Sequence, residues 1–268
     1  MIGLRTRAAE QRDLGALAGL LPAPGQGGSL LPAADSEFLL VAERAAVGEP
    51  AGPIAGCVRV RRGIGLVVPR YWYHVGCTVH AAPELQLYHR QRTLLLCNDL
   101  TGAWEIADLA CEGTSVNSGE QAEVLRKMLR AALRLIERER SDRAGTEESI
   151  RVIAELPGQR DVAGRSPFWQ SLGRHFYDGD PLLAAERFGP AWRTHVASLL
   201  PREPLLASFL SEAAQAAIAR PARGAALQAQ ALREAGLRPG RCVTIDDAGP
   251  VYEGDLDSMA TTVPAVRA

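Results

Sequence analysis

The chain has 268 residues, 47% of them hydrophobic and 23% charged, with a net charge of -1. A chain of that length buries a sizeable core, as one large domain or two small ones, and its balance of apolar and charged residues excludes wholesale disorder. The near-neutral charge leaves no electrostatic footprint for nucleic acid or an acidic membrane surface. No run reaches the roughly eighteen apolar residues of a membrane span, and "MIGLRTRAAEQRD" lacks a secretory apolar region, so a cytoplasmic location is expected.

In chain order, "DLGALAGLL" (Asp13 to Leu21) reads as a short helix, followed by the Gly/Pro-rich loop "PAPGQGGSLLP". "EFLLVAER" and "IAGCVRVRRGIGLVV" read as strands separated by the turn "GEPAGP", and "YHVGCTVH", "TLLLCNDL" and "WEIADLAC" continue the series. In "SGEQAEVLRKMLRAALRLIERER", Leu125, Met128, Leu129, Ala132, Leu135 and Ile136 make one apolar stripe, and Ser118 with Gln121 has the form of a capping box. The polar loop "RAGTEES" and the strand "IRVIAELP" follow. Beyond Asp180 the chain turns alanine-rich and helical, notably in "SEAAQAAIARPARGAALQAQALREAGL", and "RCVTIDDAGPVYEG" reads as a closing strand pair. The expected organisation is a core over 1–180, a helical segment with closing strands over 181–256, and a loose tail over 257–268.

Five isolated cysteines, mostly within apolar runs, fit neither a disulfide framework nor a zinc knuckle, so no metal site is expected and the thiols read as buried. The stretch "GRSPFWQSLGRHFYDGDP" gathers aromatics and rigid residues. Ser166 suits a helix cap, Pro167 the first helical position, and Phe168, Leu172 and Phe176 a buried stripe. The tryptophans Trp72, Trp104, Trp169 and Trp192 read as packing groups. Strands grouped before a long helix, with a strand after it, make a mixed α/β pattern that many folds share.

Three blocks go further. They are "YWYHVGCTVHAAPELQLYHRQRTLLLCNDLTG" running into "EIADL", then "IAELPGQRDVAGRSPFWQSLGRHF", then "LREAGLRPGRCVTIDDAGPVYEG". In order and spacing they resemble the arginine N-succinyltransferases of the GNAT acyltransferase superfamily. The resemblance implies an α/β (α+β) fold with a mixed, mostly antiparallel sheet and flanking helices. It also implies transfer of succinyl from succinyl-CoA, as co-substrate with no permanently bound cofactor, to the α-amine of L-arginine or a similar amino acid. An oligomer, homomeric or with a related chain, is implied as well. The amine must lose a proton, the oxyanion needs a donor and the leaving thiolate needs a proton.

Carried onto this chain, the resemblance places succinyl-CoA along the backbone at Leu109 and its pyrophosphate on the head of the long helix at Gly119. It puts Asn98, Asp99, Glu105, Glu155 and Ser166 on the amino-acid side, with His80 and His175 available for proton transfer. Each residue also has a plain structural role: Leu109 as a core leucine, Asp99 in the turn "NDLTG", Glu155 as a strand-end charge, the histidines as hydrogen-bonded imidazoles. The chain departs from the family pattern in three places. No Lys or Arg lies between Cys111 and Val124, where Glu112, Glu120 and Glu123 stand instead. Leu100 replaces a histidine, and "RPARGAA" follows Ala219 where the family has its catalytic histidine. Guanidinium groups do not exchange protons near neutrality, so Arg220 and Arg223 are no substitute. A non-catalytic homologue, as partner subunit or amino-acid-binding regulator, therefore stands beside the transferase.

Overall fold

The computed structural model describes residues 2–22, 29–32, 34–46, 52–113, 118–142 and 149–260. Its strands are β1 (Ile2–Ala8), β2 (Glu37–Ala46), β3 (Ile54–Arg61), β4 (Trp72–Ala82), β5 (Leu87–Cys97), β6 (Trp104–Cys111), β7 (Arg151–Glu155), β8 (Leu205–Leu206), β9 (Arg238–Thr244) and β10 (Pro250–Asp255). They form one ten-stranded sheet in the order β1-β2-β3-β6-β7-β10-β9-β4-β5-β8. The β6–β7 pair is parallel and the other pairs are antiparallel, so the mixed, mostly antiparallel sheet expected from the sequence is the one observed. The helices are α1 (Leu14–Leu20), α2 (Ser118–Ser141), α3 (Pro167–Ser171), α4 (Pro181–Phe188), α5 (Trp192–Ala197), α6 (Glu212–Ala217), α7 (Ala226–Glu234) and α8 (Leu256–Ala260). No helix among the described residues is long and apolar enough to cross a membrane.

Period-two alternation sorts the strands between layers. On β2, Phe38, Leu40 and Ala42 face the core under α2 and α7, while Leu39 and Val41 face the core under α1. The α2 stripe lies where its periodicity put it, with Leu125, Met128, Leu129, Ala132, Leu135 and Ile136 all buried. On the other half of the sheet, Tyr73, Leu94, Leu96, Val243 and Ile245 pack against Phe168, Trp192, Val196 and Ala214 from α3, α5 and α6. All four tryptophans are buried, as expected.

The motif "SPFWQSLG" has a direct physical reading. Ser166 caps α3, its Oγ accepting from Trp169 N at 3.1 Å, and Pro167 takes the first helical position. Gly173 is needed because a Cβ there would come within 2.2 Å of the Trp169 ring. Phe168 and Leu172 are buried, but Phe176 is 40% exposed, because α3 ends at Ser171 and a 3-10 turn rotates Phe176 off the stripe.

Other expectations are corrected by backbone geometry. The strand at Ile54 stops at Arg61 because Gly63 and Gly65, with φ of 64° and 80°, turn the chain. The alanine-rich run breaks between α6 and α7, where Ala219 takes φ of 59°. The carboxamide of Gln121 donates to the carbonyls of Glu112 and Gly113. Cys77 is exposed. Leu256 and Met259 bury α8 where the loose tail was expected to start, and 261–268 lie outside the described residues. So do parts of the expected loops at 23–28, 48–51, 114–117 and 143–148.

The turn between β9 and β10 lies hard against the end of β7. A Cβ on Gly249 would stand 2.2 Å from Leu156 O, and one on Gly158 would stand 2.1 Å from Asp247 O. Gly249→Ala is expected to lose about 2 kcal/mol or more, since backbone cannot yield as a side-chain tip can. Gly3→Ala, in open space, is expected to change stability little. Urea unfolding of the two variants, read at constant m-value, checks both.

Candidate functional site

β6 and β7 are register partners only at Trp104–Val152 and Glu105–Ile153. Beyond these, β6 continues along β3 and β7 along β10, so the parallel strands part towards their C-terminal ends. A bulge marks the parting on β6. Cys57 pairs with Ala110 and Arg59 with Ala107, so Asp108 and Leu109 together oppose Val58. Asp108 takes φ of 49°, and its carboxylate accepts from Arg59 Nε at 2.5 Å. A bulge disrupts the ladder locally, here at Asp108 and Leu109.

Between the parted strands lies a cavity of about 440 Å³. Ala107, Leu109 and Ala110 wall one side, Ala154, Glu155 and Leu156 another, and Ala225 and Gln228 of the α7 region a third. The wall is mostly apolar, and the side-chain carboxamide oxygen of Gln228 is buried without a hydrogen-bond partner. Unpaired buried acceptors are uncommon because each forfeits hydration.

A chain of buried charge closes the base of the split. Arg70 forks onto Glu105, with Nη1 to Oε2 at 2.9 Å and Nη2 to Oε1 at 2.8 Å, and also reaches Glu155 Oε2 at 2.8 Å. Arg61 donates to Glu105 at 2.9 Å, Arg193 to Glu155 Oε2 at 2.7 Å, and Trp72 Nε1 to Glu155 Oε1 at 2.6 Å. Burial alone would raise the Glu155 pKa, but Arg70 and Arg193 outweigh it and hold the carboxyl down to about 2. Glu105 is lowered in the same way: burial raises it and Arg70 and Arg61 lower it further.

Arg193 then extends to Asp246, whose Oδ1 lies 3.1 Å from Nη2. The contact is an ion pair off the N–H direction, since Asp246 Oδ1 and Arg193 Nε both lack hydrogen-bond partners. Burial pushes Asp246 up to about 6, helped by Asp247 and Glu155 and only partly opposed by Arg193. The neighbouring Asp247 is instead well satisfied, accepting from Thr244 Oγ1 at 2.6 Å and Gly249 N at 3.0 Å.

The residues singled out from sequence scatter across this frame. Leu109 and Glu155 line the cavity, and Glu105 stands behind them through Arg70. Asn98 and Asp99 form a turn at the opposite end of the parallel pair, where Asp99 O accepts from Arg151 Nη1 at 3.2 Å. Ser166 is buried as a helix cap. His175 is exposed just after α3, and His80 is exposed on the part of the β4–β5 ribbon that no third strand pairs. Gly119 is exposed at the second position of α2. The acidic loop there meets Arg44 of β2, which binds Glu112 at 2.8 Å and Glu120 at 3.1 Å.

The stretch after Ala219 is pinned beside the cavity, with Ala219 N to Ala248 O at 2.9 Å and Ala222 N to Pro157 O at 2.7 Å. Arg70, Arg193, Asp246 and Gln228 carried no sequence signal, because they come from separate segments that only the fold brings together. Among the described residues no cluster of three or more His, Cys, Asp or Glu is placed to hold a metal.

Comparison with known proteins identifies first the architecture and then the family. The structure of arginine/ornithine succinyltransferase subunit AI from Pseudomonas aeruginosa superposes with a TM-score of 0.68, covering 98% of this chain and 79% of that one, at 21% identity. It is the same fold. Residues 27–261 match the family described as arginine N-succinyltransferase beta subunit. The arginine N-succinyltransferases of Salmonella arizonae and Salmonella paratyphi B are each 33% identical over 231 residues, 85% of this chain. The chain belongs to the arginine N-succinyltransferase family. It spans 63% of the length of these relatives.

Glu155→Gln leaves Arg70 and Arg193 buried with less compensation and is expected to cost about 3–5 kcal/mol. Asp246 has the opposite sense. Folded, it keeps its proton to about pH 6, whereas the unfolded chain releases it near ~4, so stability falls by about 2–3 kcal/mol as pH rises through that window. Asp246→Asn is expected to flatten this fall, measured by chemical unfolding at intervals across the same pH range.

Proposed function

We propose that the cavity between β6 and β7 takes an acyl-CoA, succinyl-CoA by family, and transfers its acyl group to the α-amine of L-arginine or a related amino acid. The observation that carries this reading is the bulge at Leu109, beside an apolar cavity at the position where the sequence resemblance puts succinyl-CoA. The pantetheine chain lies along the bulged strand at Leu109, as the family resemblance implies, and Gln228 accepts from one of its amide N–H groups. The amine nitrogen attacks the thioester carbonyl, the C–S bond breaks, and the departing thiolate takes up a proton.

The proton lost by the amine needs an acceptor with a pKa near the working pH. Glu155, held at about 2 and already engaged by Trp72, Arg70 and Arg193, is too acidic for that role. Asp246, raised to about 6 by burial, has a matching range but is not among the described residues lining the cavity. The Arg193 guanidinium between it and Glu155 passes no proton, so an ordered water takes the amine's proton. His80 and His175 stay outside this scheme. A second reading, a non-catalytic partner subunit, is favoured by one observation: no histidine or cysteine is among the described residues lining the cavity.

The test is thiol release from succinyl-CoA in the presence of L-arginine, with calorimetric titration of CoA alongside. Arginine-dependent release supports transfer. CoA binding without release, restored by a co-purified related chain, supports the subunit reading. No release and no heat with CoA up to about millimolar, a gain of less than ~4 kcal/mol, removes the enzyme reading for this chain. Gln228→Ala is expected to raise KM for the acyl-CoA about fivefold with kcat little changed, the loss of one uniformly made hydrogen bond.

A further inference from the structure

A trough of about 890 Å³ runs along the flank of α2, away from the cavity between β6 and β7. Arg126, Lys127, Arg130, Arg134 and Arg138 form its wall, and Glu123 is the one acid among its described lining residues. Leu40, Ala131 and Leu135 contribute an apolar floor. One side is formed by β1, which among the described residues is the edge strand of the sheet and pairs with β2 alone.

The arginines here are less engaged than those of the buried clusters. In those clusters the guanidinium groups are spoken for: Arg7 by Asp13 and Glu43, Arg59 by Asp108, Arg70 and Arg193 by the carboxylates at the base of the cavity. In the trough, Arg126 donates to Ala122 O at 3.1 Å and reaches Glu234 at 3.7 Å, and Lys127 bonds the carbonyl of Leu4 on β1. Arg130, Arg134 and Arg138 have no ion pair among the described residues. Their spacing of four sets like charges one above another on a helix, which destabilises it unless an anion lies alongside. From Arg126 to Arg138 the row rises about 18 Å.

We infer that this trough is a docking site for an extended acidic segment of another protein. A single phosphate or dicarboxylate would meet one or two guanidinium groups and leave the rest of the row unmatched. A segment alternating carboxylate and apolar side chains matches the whole row, places its apolar face on Leu40 and Leu135, and runs beside the open edge of β1. Guanidinium forks take carboxylates well, and the attraction weakens with salt because the wall is exposed.

The test uses a fluorescent twelve-residue peptide of alternating glutamate and leucine, titrated by anisotropy onto the full chain. The Arg130→Glu/Arg134→Glu variant runs in parallel, with circular dichroism confirming that it is folded; Arg130→Gln/Arg134→Gln keeps the test valid if the reversal does not fold. The expected result is saturable binding at about 50 mM salt, weakened at least tenfold by either variant and by raising salt to about 500 mM. A lysine–leucine peptide of equal length is expected not to bind. Absent binding, binding indifferent to the variants, or displacement of the peptide by tripolyphosphate at lower concentration than by unlabelled peptide would each overturn the inference. Tripolyphosphate displacement would instead mark a site for small polyanions.

Discussion

One guanidinium holds the part of the molecule on which the rest depends. Arg70, from the connection between β3 and β4, binds Glu105 on β6 and Glu155 on β7 at the place where the two parallel strands stop pairing. Without that bridge, two buried carboxylates on adjacent strands would repel each other at the base of the split. With it, the strands are clamped at one end and free to diverge at the other, and the divergence makes the cavity. The same arginine lies over the Trp72 ring at 5.5 Å, and Trp72 in turn donates to Glu155. Clamp, aromatic packing and strand parting are therefore one arrangement.

The clamp also joins the halves of the sheet. Glu155 belongs to the side packed under α2 and α7, while Arg193 on α5 and Asp246 in the β9–β10 turn belong to the side packed under α3 to α6. Buried ion pairs stabilise little on balance, because desolvation cancels much of their attraction. Their value here is geometric, since an arginine fork tolerates few orientations. The close backbone approach at Gly158 and Gly249 then fixes the β9–β10 turn against the end of β7. Asp246, in that turn, is buried with less compensation than Asp247 beside it, which is why one aspartate is raised and the other is locked in a hydrogen-bonded turn.

Family membership and local chemistry agree at some positions and diverge at others. The glycines and aromatics of "SPFWQSLG" and "DAGP" are explained by packing: an indole over Gly173, a carbonyl over Gly249. They preserve the frame. At the head of α2 and after Ala219 the chain differs from the pattern it resembles, and the fold places both stretches near the cavity or at the start of the helix beside it. Arg44, remote in sequence, offsets the acidic loop that looked unrelieved when read along the chain.

What the sequence determined by itself was the set of elements with strong periodicity. The α2 stripe, the alternating strands β2 and β6, the capped start of α3 and the family resemblance were all legible, because each depends on residues within a turn or two of one another. The weakly patterned β1, the break between α6 and α7 and the exposure of Phe176 were not, since they follow from local dihedral angles and edge pairing with no periodic signal. Of the candidate site, Leu109, Glu105 and Glu155 were visible in advance and do gather at the split, whereas His80, His175, Asn98 and Asp99 lie apart from it. Arg70, Arg193, Asp246 and Gln228 were decided by tertiary structure alone. They come from four segments. Only the folded sheet, with its parallel β6–β7 pair opened at one end, brings Arg70, Arg193 and Asp246 into one buried network with Glu105 and Glu155 and sets Gln228 in the cavity wall.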